Sequence, residues 1–241
     1  MDHVPDDTFV ALSNSQPAAT RGTVSIVFNP DTGNPTAVGK FGWKAQVATL
    51  HVFAGDAYLN EMGVTNPSFP NENCPQGNCA ILACNPYPNL NDTGGDVNNF
   101  ANFMTALAPP PRGPITPAVT AGESLFAPVG CADCHAPTLT TGPSSIPQFN
   151  NQTFHPYSDF LLHNIGSLGD GITQNLATGT LMRTAPLWGL RTHKGLLHDS
   201  RAYTLVDAIN AHDGQAAQAR ANFNALSTTD QNHLLAFLRS L

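Results

Sequence analysis

Residues 130–137 read GCADCHAP. Two cysteines three positions apart and followed at once by histidine form C-x-x-C-H. This pattern takes a haem through two thioethers and holds the histidine beneath the iron as proximal ligand. The residues are Cys131, Cys134 and His135. The competing readings are a redox-active C-x-x-C pair and half of a zinc site. A zinc site needs a second ligand pair at suitable spacing, and none stands out. A thioredoxin-like pair needs a βαβ setting, which the flanks lack. Ahead of the cysteines, Thr120-x-x-Glu123 reads as a capping box before Leu125 and Phe126, and Pro137 ends the turn. A covalently attached haem c is therefore expected in the second half of the chain. Such attachment takes place outside the cytoplasm, so a periplasmic or otherwise extracytoplasmic location is expected with it.

The other face of the iron has eight further histidines and four methionines to choose from. Across 204–213 (TLVDAINAHD), Leu205, Ala208, Ile209 and His212 sit at i, i+3, i+4 and i+7 and share one helical face. His212 thus points with the apolar stripe. A histidine there is either a satisfied core residue or a ligand, and a haem already implied favours the ligand. Met182 and His198 are its competitors. Methionine would raise the reduction potential and histidine lower it.

The bulk numbers narrow the classes. The chain has 241 residues, a net charge of −7 and 11% charged residues, against roughly 25% in an average domain. With no basic run, nothing would neutralise phosphates, so no nucleic-acid partner is expected. No apolar stretch approaches the roughly 20 residues of a transmembrane span. Residues 1–20 lack the basic and apolar regions of a signal peptide, which implies that a targeting segment has been removed or that more sequence lay upstream.

Along the chain, residues 23–40 read as a hairpin, with Val24, Ile26 and Phe28 alternating before the turn-rich 31–34. Residues 44–61 carry a weak helical pattern, and 63–95 read as loop. Residues 96–108 suit a helix with Val97, Phe100, Met104 and Leu107 on one face, stopped by Pro109-Pro110-Pro111. Residues 109–119 resemble a stiff interdomain linker. A short helix is expected over Ser158–Asn164. Thr204-x-x-Asp207 and Ser227-x-x-Asp230 cap two more, the last presenting Leu234, Phe237, Leu238 and Leu241 on one face. Of Cys74, Cys79 and Cys84, two are expected to form a disulfide that pins the long loop, with one left over. Their C-x4-C-x4-C spacing does not supply the four thiolates of an iron–sulfur cluster.

The run from Arg183 to Leu241, beginning RTAPLWGLRTHKGLLHDSRAYTLVDAINAHDG, resembles the C-terminal end of the bacterial di-haem oxidoreductases. These are also labelled thiol oxidoreductases and are related to the di-haem cytochrome c peroxidases. KFGWKAQVATL (40–50), GCADCHAPTLTTG (130–142) and YSDFLLHNIG (157–166) agree, so the resemblance covers nearly all of the chain from about Val38. It implies a mainly α fold: a cytochrome c-type helical domain with long loops and a short N-terminal β-hairpin. In the peroxidases a TL-x-x-A-x-x-x segment ends in the distal ligand, often methionine. Here Thr204-Leu205 and Ala208 lead to His212 in that slot. His198, in LLHDS, matches a histidine that sits near the haem without binding iron; the family carries glycine where this chain has Ser200. Arg183 matches an arginine that serves a haem propionate. Trp43 falls near the tryptophan between the two haems, and Glu61, in NEMG, near the acidic residue beside the peroxidatic haem. The competing readings are a core tryptophan and an ordinary exposed glutamate.

The family carries two haem motifs, and this chain has one C-x-x-C-H. Residues 1–118 are accordingly expected to be an incomplete N-terminal, peroxidatic-like region and 119–241 a cytochrome c domain. Two functions follow as alternatives. One is electron transfer as part of a di-haem peroxidase-like oxidoreductase, with a separate haem-bearing segment or subunit. The other is a stand-alone mono-haem cytochrome without catalytic activity. Either requires a redox donor or acceptor protein as partner.

Overall fold

The computed structural model describes all 241 residues. Helices dominate, and the strands form three short antiparallel pairs. The helices are α1 (Asp6–Ser15), α2 (Leu50–Met62), α3 (Gly95–Ala106), α4 (Pro117–Val129), α5 (Leu205–Ala211), α6 (Ala217–Ala225) and α7 (Thr228–Leu238). The strand pairs are β1 (Ile26–Asn29) with β2 (Asn34–Val38), β3 (Leu139–Thr140) with β4 (Thr153–Phe154), and β5 (Leu162–Asn164) with β6 (Leu181–Arg183). The mainly α expectation with a short N-terminal hairpin is met.

The main core lies between α4 and α7. Val119, Phe126 and Val129 of α4 meet Leu234, Leu235, Phe237 and Leu238 of α7, with Phe223, Tyr157 and Leu241 at the edges. The α7 stripe is buried as its periodicity predicts, and Ser227 Oγ accepts the Asp230 N–H as the cap. A second core gathers Val4 and Phe9 with Val38, Leu139, Phe160 and Leu161. The segment before the hairpin thus packs against the second half of the chain. Helix α1 went unread in the sequence, although Pro5 and the acidic Asp6 and Asp7 at its start are a proper helix opening.

Several expectations need correction. Helix α4 starts at Pro117, and its cap is Thr116, whose Oγ1 accepts the Val119 N–H; Thr120 lies a turn inside. Proline at the first helical position fixes the start earlier than the Thr120–Glu123 pair suggested. Residues 158–164 are not helical. Ser158 Oγ accepts the Phe160 N–H, Asp159 Oδ1 accepts the Leu161 N–H, and Tyr157 and Phe160 adopt positive φ. These side chains take the amides that a helix would use, and the chain runs on into β5.

In the hairpin the burial phase is the reverse of the alternation. Val27 and Asn29 are buried, whereas Ile26 and Phe28 face outward. Helix α3 buries Val97 and Ala101 and leaves Phe100, Phe103 and Leu107 exposed. Helix α2 had a weak pattern because Val52, Ala54, Gly55 and Leu59 bury more than one face. From Ala45 to Pro111 the chain carries no lysine or arginine, although Asp56, Glu61, Glu72, Asp92 and Asp96 lie there. The long loop holds a Cys74–Cys79 disulfide, and Cys84 is a free, exposed thiol. The extended 107–116 stretch is tied down: Gly113 N–H donates to Ser240 O, and Arg112 pairs with Glu123.

Candidate haem site

Helix α4 delivers the motif. It ends at Gly130 with φ +99°, a left-handed cap that glycine adopts without strain. The chain then makes a tight turn over Cys131–Asp133, and His135 N–H closes it on Cys131 O. Both thiols are free. Burial pushes Cys131 up to about 12 and raises Cys134 further, so both are protonated and inert as metal thiolates. Of the two, only Cys134 has a side-chain partner, His163, with Sγ 3.4 Å from Nδ1.

The motif faces a cavity of about 830 Å3, in the upper range of small-molecule sites. His135 and His212 look at each other across it, with ring centroids 6.5 Å apart. Two imidazoles that bind one metal from opposite sides, each through nitrogen at about 2 Å, put their ring centres about 6 Å apart. In both rings Nδ1 donates to a backbone carbonyl, Tyr157 O at 2.8 Å for His135 and Ala208 O at 2.7 Å for His212. That bond fixes the tautomer and leaves Nε2 as a free lone pair, as in most metal-bound histidines. Burial and the facing ring depress His135 to about 4, and burial lowers His212 as well. Both are therefore neutral, which is the ligating form.

Helix α5 places His212 as the sequence implied. Thr204 caps it by accepting the Asp207 N–H, Ala208 is buried, and His212 is its C-terminal cap residue. Leu205, Ala208 and Ile209 line the same cavity. Met182 is buried in β6 on the cavity wall, paired across the strands with His163. His198 also lines the cavity, edge-on to Trp43 at 6.2 Å.

Arg183 sits on the cavity wall. Its Nε donates to Gly42 O at 2.6 Å and one amino group to Thr184 O at 3.2 Å, and the guanidinium lies 5.3 Å from the Phe160 ring centre. It forms no ion pair, and burial brings it down to about 10. A half-buried guanidinium with no ion-pair partner beside an apolar chamber suits a carboxylate of the occupant. Apolar walls, two opposed imidazoles, two thiols and this cation together fit a haem.

Trp43 is 47% exposed at the cavity mouth. Glu61 lies on the last turn of α2, exposed, and does not line the cavity. Ser200 takes φ +59° in the turn that the Leu196–Ala202 bridge closes. A left-handed non-glycine residue costs about 1–2 kcal/mol. Ser200→Gly is therefore expected to raise the unfolding midpoint in calorimetry; an unchanged or lower midpoint would mean the turn carries no strain.

Sequence reading missed the wall formed by residues 16–22. Gln16 Nε2 donates to Asp133 O at 2.7 Å and to Asp159 Oδ2 at 2.5 Å, and Thr20 Oγ1 donates to Asp133 Oδ2. Pro17, Ala19 and Thr20 line the cavity. Also missed was the buried pair His163–Asp159, at 2.8 Å. The histidine four residues beyond an aspartate was visible, but the helix expected there gave it no role.

No protein with a curated function matches the chain. Among solved structures it is similar to "Kuenenia stuttgartiensis Hydrazine Synthase Pressurized with 20 bar Xenon", at 20% identity and a TM-score of 0.44. That match takes in 68% of this chain and spans 60% of the other. Residues 25–241 match the family described as "Di-haem oxidoreductase, putative peroxidase". With nine-tenths of its length inside that match, the chain belongs to the di-haem oxidoreductase family.

Proposed function

We propose that the protein is an extracytoplasmic c-type haem protein that transfers electrons as part of a di-haem peroxidase-like oxidoreductase. Cys131 and Cys134 anchor the haem, and His135 and His212 hold its iron. The observation that carries this reading is the pair of neutral imidazoles facing each other at 6.5 Å, beside two free thiols at C-x-x-C spacing. When bound, the haem supplies a one-electron iron couple. The chain's own work is to keep both Nε2 atoms aimed inward through their Nδ1 bonds, to exclude bulk water with apolar walls, and to meet a propionate with Arg183. Trp43, at the mouth beside His198, is placed to pass an electron to a partner protein. The Cys74–Cys79 disulfide supports an oxidising compartment.

A stand-alone carrier is the second reading. It is favoured by the imidazoles on both sides, which would leave the iron no open position for peroxide. A haem-stained denaturing gel with a pyridine haemochrome assay tests the main claim. One haem per chain that survives denaturation is expected, and its absence refutes covalent attachment. Stopped-flow mixing of reduced protein with hydrogen peroxide separates the readings: fast, saturating reoxidation marks the enzyme, and slow reoxidation linear in peroxide marks the carrier.

A further inference from the structure

His163 and Asp159 are the most deeply buried titratable pair in the protein, and electron transfer as described gives them nothing to do. Asp159 is fully buried and His163 is 2% exposed. Oδ2 of Asp159 accepts from His163 Nε2 at 2.8 Å and from Gln16 Nε2 at 2.5 Å, while Oδ1 accepts the Leu161 N–H at 3.0 Å. With Nε2 committed as donor, Nδ1 is left as an acceptor. The one group in front of it is the Cys134 thiol, 3.4 Å away. The strap formed by residues 16–22 runs close against this arrangement at Gly22. A Cβ at Gly22 would lie 2.7 Å from His163 Nε2 and 2.6 Å from Leu161 Cβ, so only glycine lets the strap pass. Cys131, three residues earlier, has no side-chain hydrogen bond.

We propose that His163 is a positioning residue for the Cys134 thiol, making the two haem linkages unequal: the Cys134 linkage depends on His163, and the Cys131 linkage does not. The inference rests on the covalent reading above and goes beyond it. The step is the addition of a thiol across a porphyrin vinyl group. The S–H bond breaks, a carbon–sulfur bond forms at the inner vinyl carbon, and the terminal carbon gains the hydrogen; no oxidant or reductant is consumed. The Cys134 hydrogen bond to Nδ1 fixes the rotamer of the thiol, so that sulfur meets the vinyl carbon in one orientation. Asp159 and Gln16 act one bond further out by holding the ring. Gln16 lies ahead of residue 25, where the family match begins.

The two amide replacements of histidine separate the contacts. Asparagine places its oxygen near the position of Nδ1, and glutamine places its amide near Nε2. The test expresses the full chain under haem-loading conditions in two backgrounds, C131S and C134S, and reads covalently bound haem per chain by intact mass. In C131S, where Cys134 is the sole anchor, H163Q is expected to lower loading about five- to tenfold, the worth of a hydrogen bond of about 1 kcal/mol, and H163N to restore most of it. In C134S neither change should matter. Equal losses in both backgrounds would show a merely structural role and overturn the proposal, as would full loading in C131S/H163Q. Wild-type protein without haem mass would instead defeat the covalent reading, and this inference with it.

Discussion

Replacing His212 with alanine is expected to convert a six-coordinate, low-spin haem into a high-spin one. The ring is held by its own helix through the Ala208 carbonyl and stands opposite His135, with Nε2 unbonded. No other imidazole shares that geometry; His198 sits at the mouth beside Trp43. Loss of the low-spin visible bands and appearance of a high-spin resonance signal would mark the change, and added imidazole should reverse it, because the variant leaves room for one ring. Met182 is the control. It lines the same cavity but sits in β6, paired across the strands with His163. Met182→Leu should therefore leave the spectrum alone. An unchanged spectrum in His212→Ala, with a changed one in Met182→Leu, would give the iron to methionine.

The second large effect concerns stability. Gly122 lies in α4 where α7 crosses it. A Cβ there would fall 1.9 Å from His233 O, 2.5 Å from its carbonyl carbon and 2.9 Å from Leu234 N. All three are backbone atoms, so no side chain is able to swing aside and the helices must separate. Gly122→Ala is expected to cost about 1–3 kcal/mol, lowering the midpoint by roughly 3–10 °C for a chain of this size. Gly113→Ala is the control, since its Cβ would meet Ser240 Cα at an ordinary 3.6 Å. Because α4 runs straight into Cys131, the same change should reduce haem loading. A variant as stable as the parent would mean that the α4–α7 crossing tolerates displacement.

The turn at C-x-x-C-H and the placing of His212 opposite His135 were legible because each rests on local spacing. C-x-x-C-H needs only a tight turn, and His212 needs only the i, i+3, i+4, i+7 pattern that α5 keeps. The caps at Thr204 and Ser227 were legible for the same reason, since both bond to amides three residues on. What failed depended on partners far away in sequence. The strap over the motif joins Gln16 to Asp133 and Asp159, more than a hundred residues distant. Residues 158–161 read as helical because nothing local reveals that Ser158 also donates to Thr184 O. The reversed phase of the hairpin has the same origin: Val27 faces Ala37 and Ala48, a small apolar cluster that its own strand does not announce.

The face made by α2 and α3 has one further consequence, for behaviour in bulk. It exposes Phe100, Phe103 and Met62 within the stretch that holds no lysine or arginine. Only carboxylates keep that surface wetted and mutually repellent at neutral pH. Burial holds the Asp56 carboxyl above the usual aspartate range, so its charge is lost at a higher pH than that of a free aspartate. No lysine or arginine lies on this side, unlike the arginine-bearing stretch around residues 183–239. Acidification thus removes negative charge from around a ring-rich patch of the kind through which proteins clump.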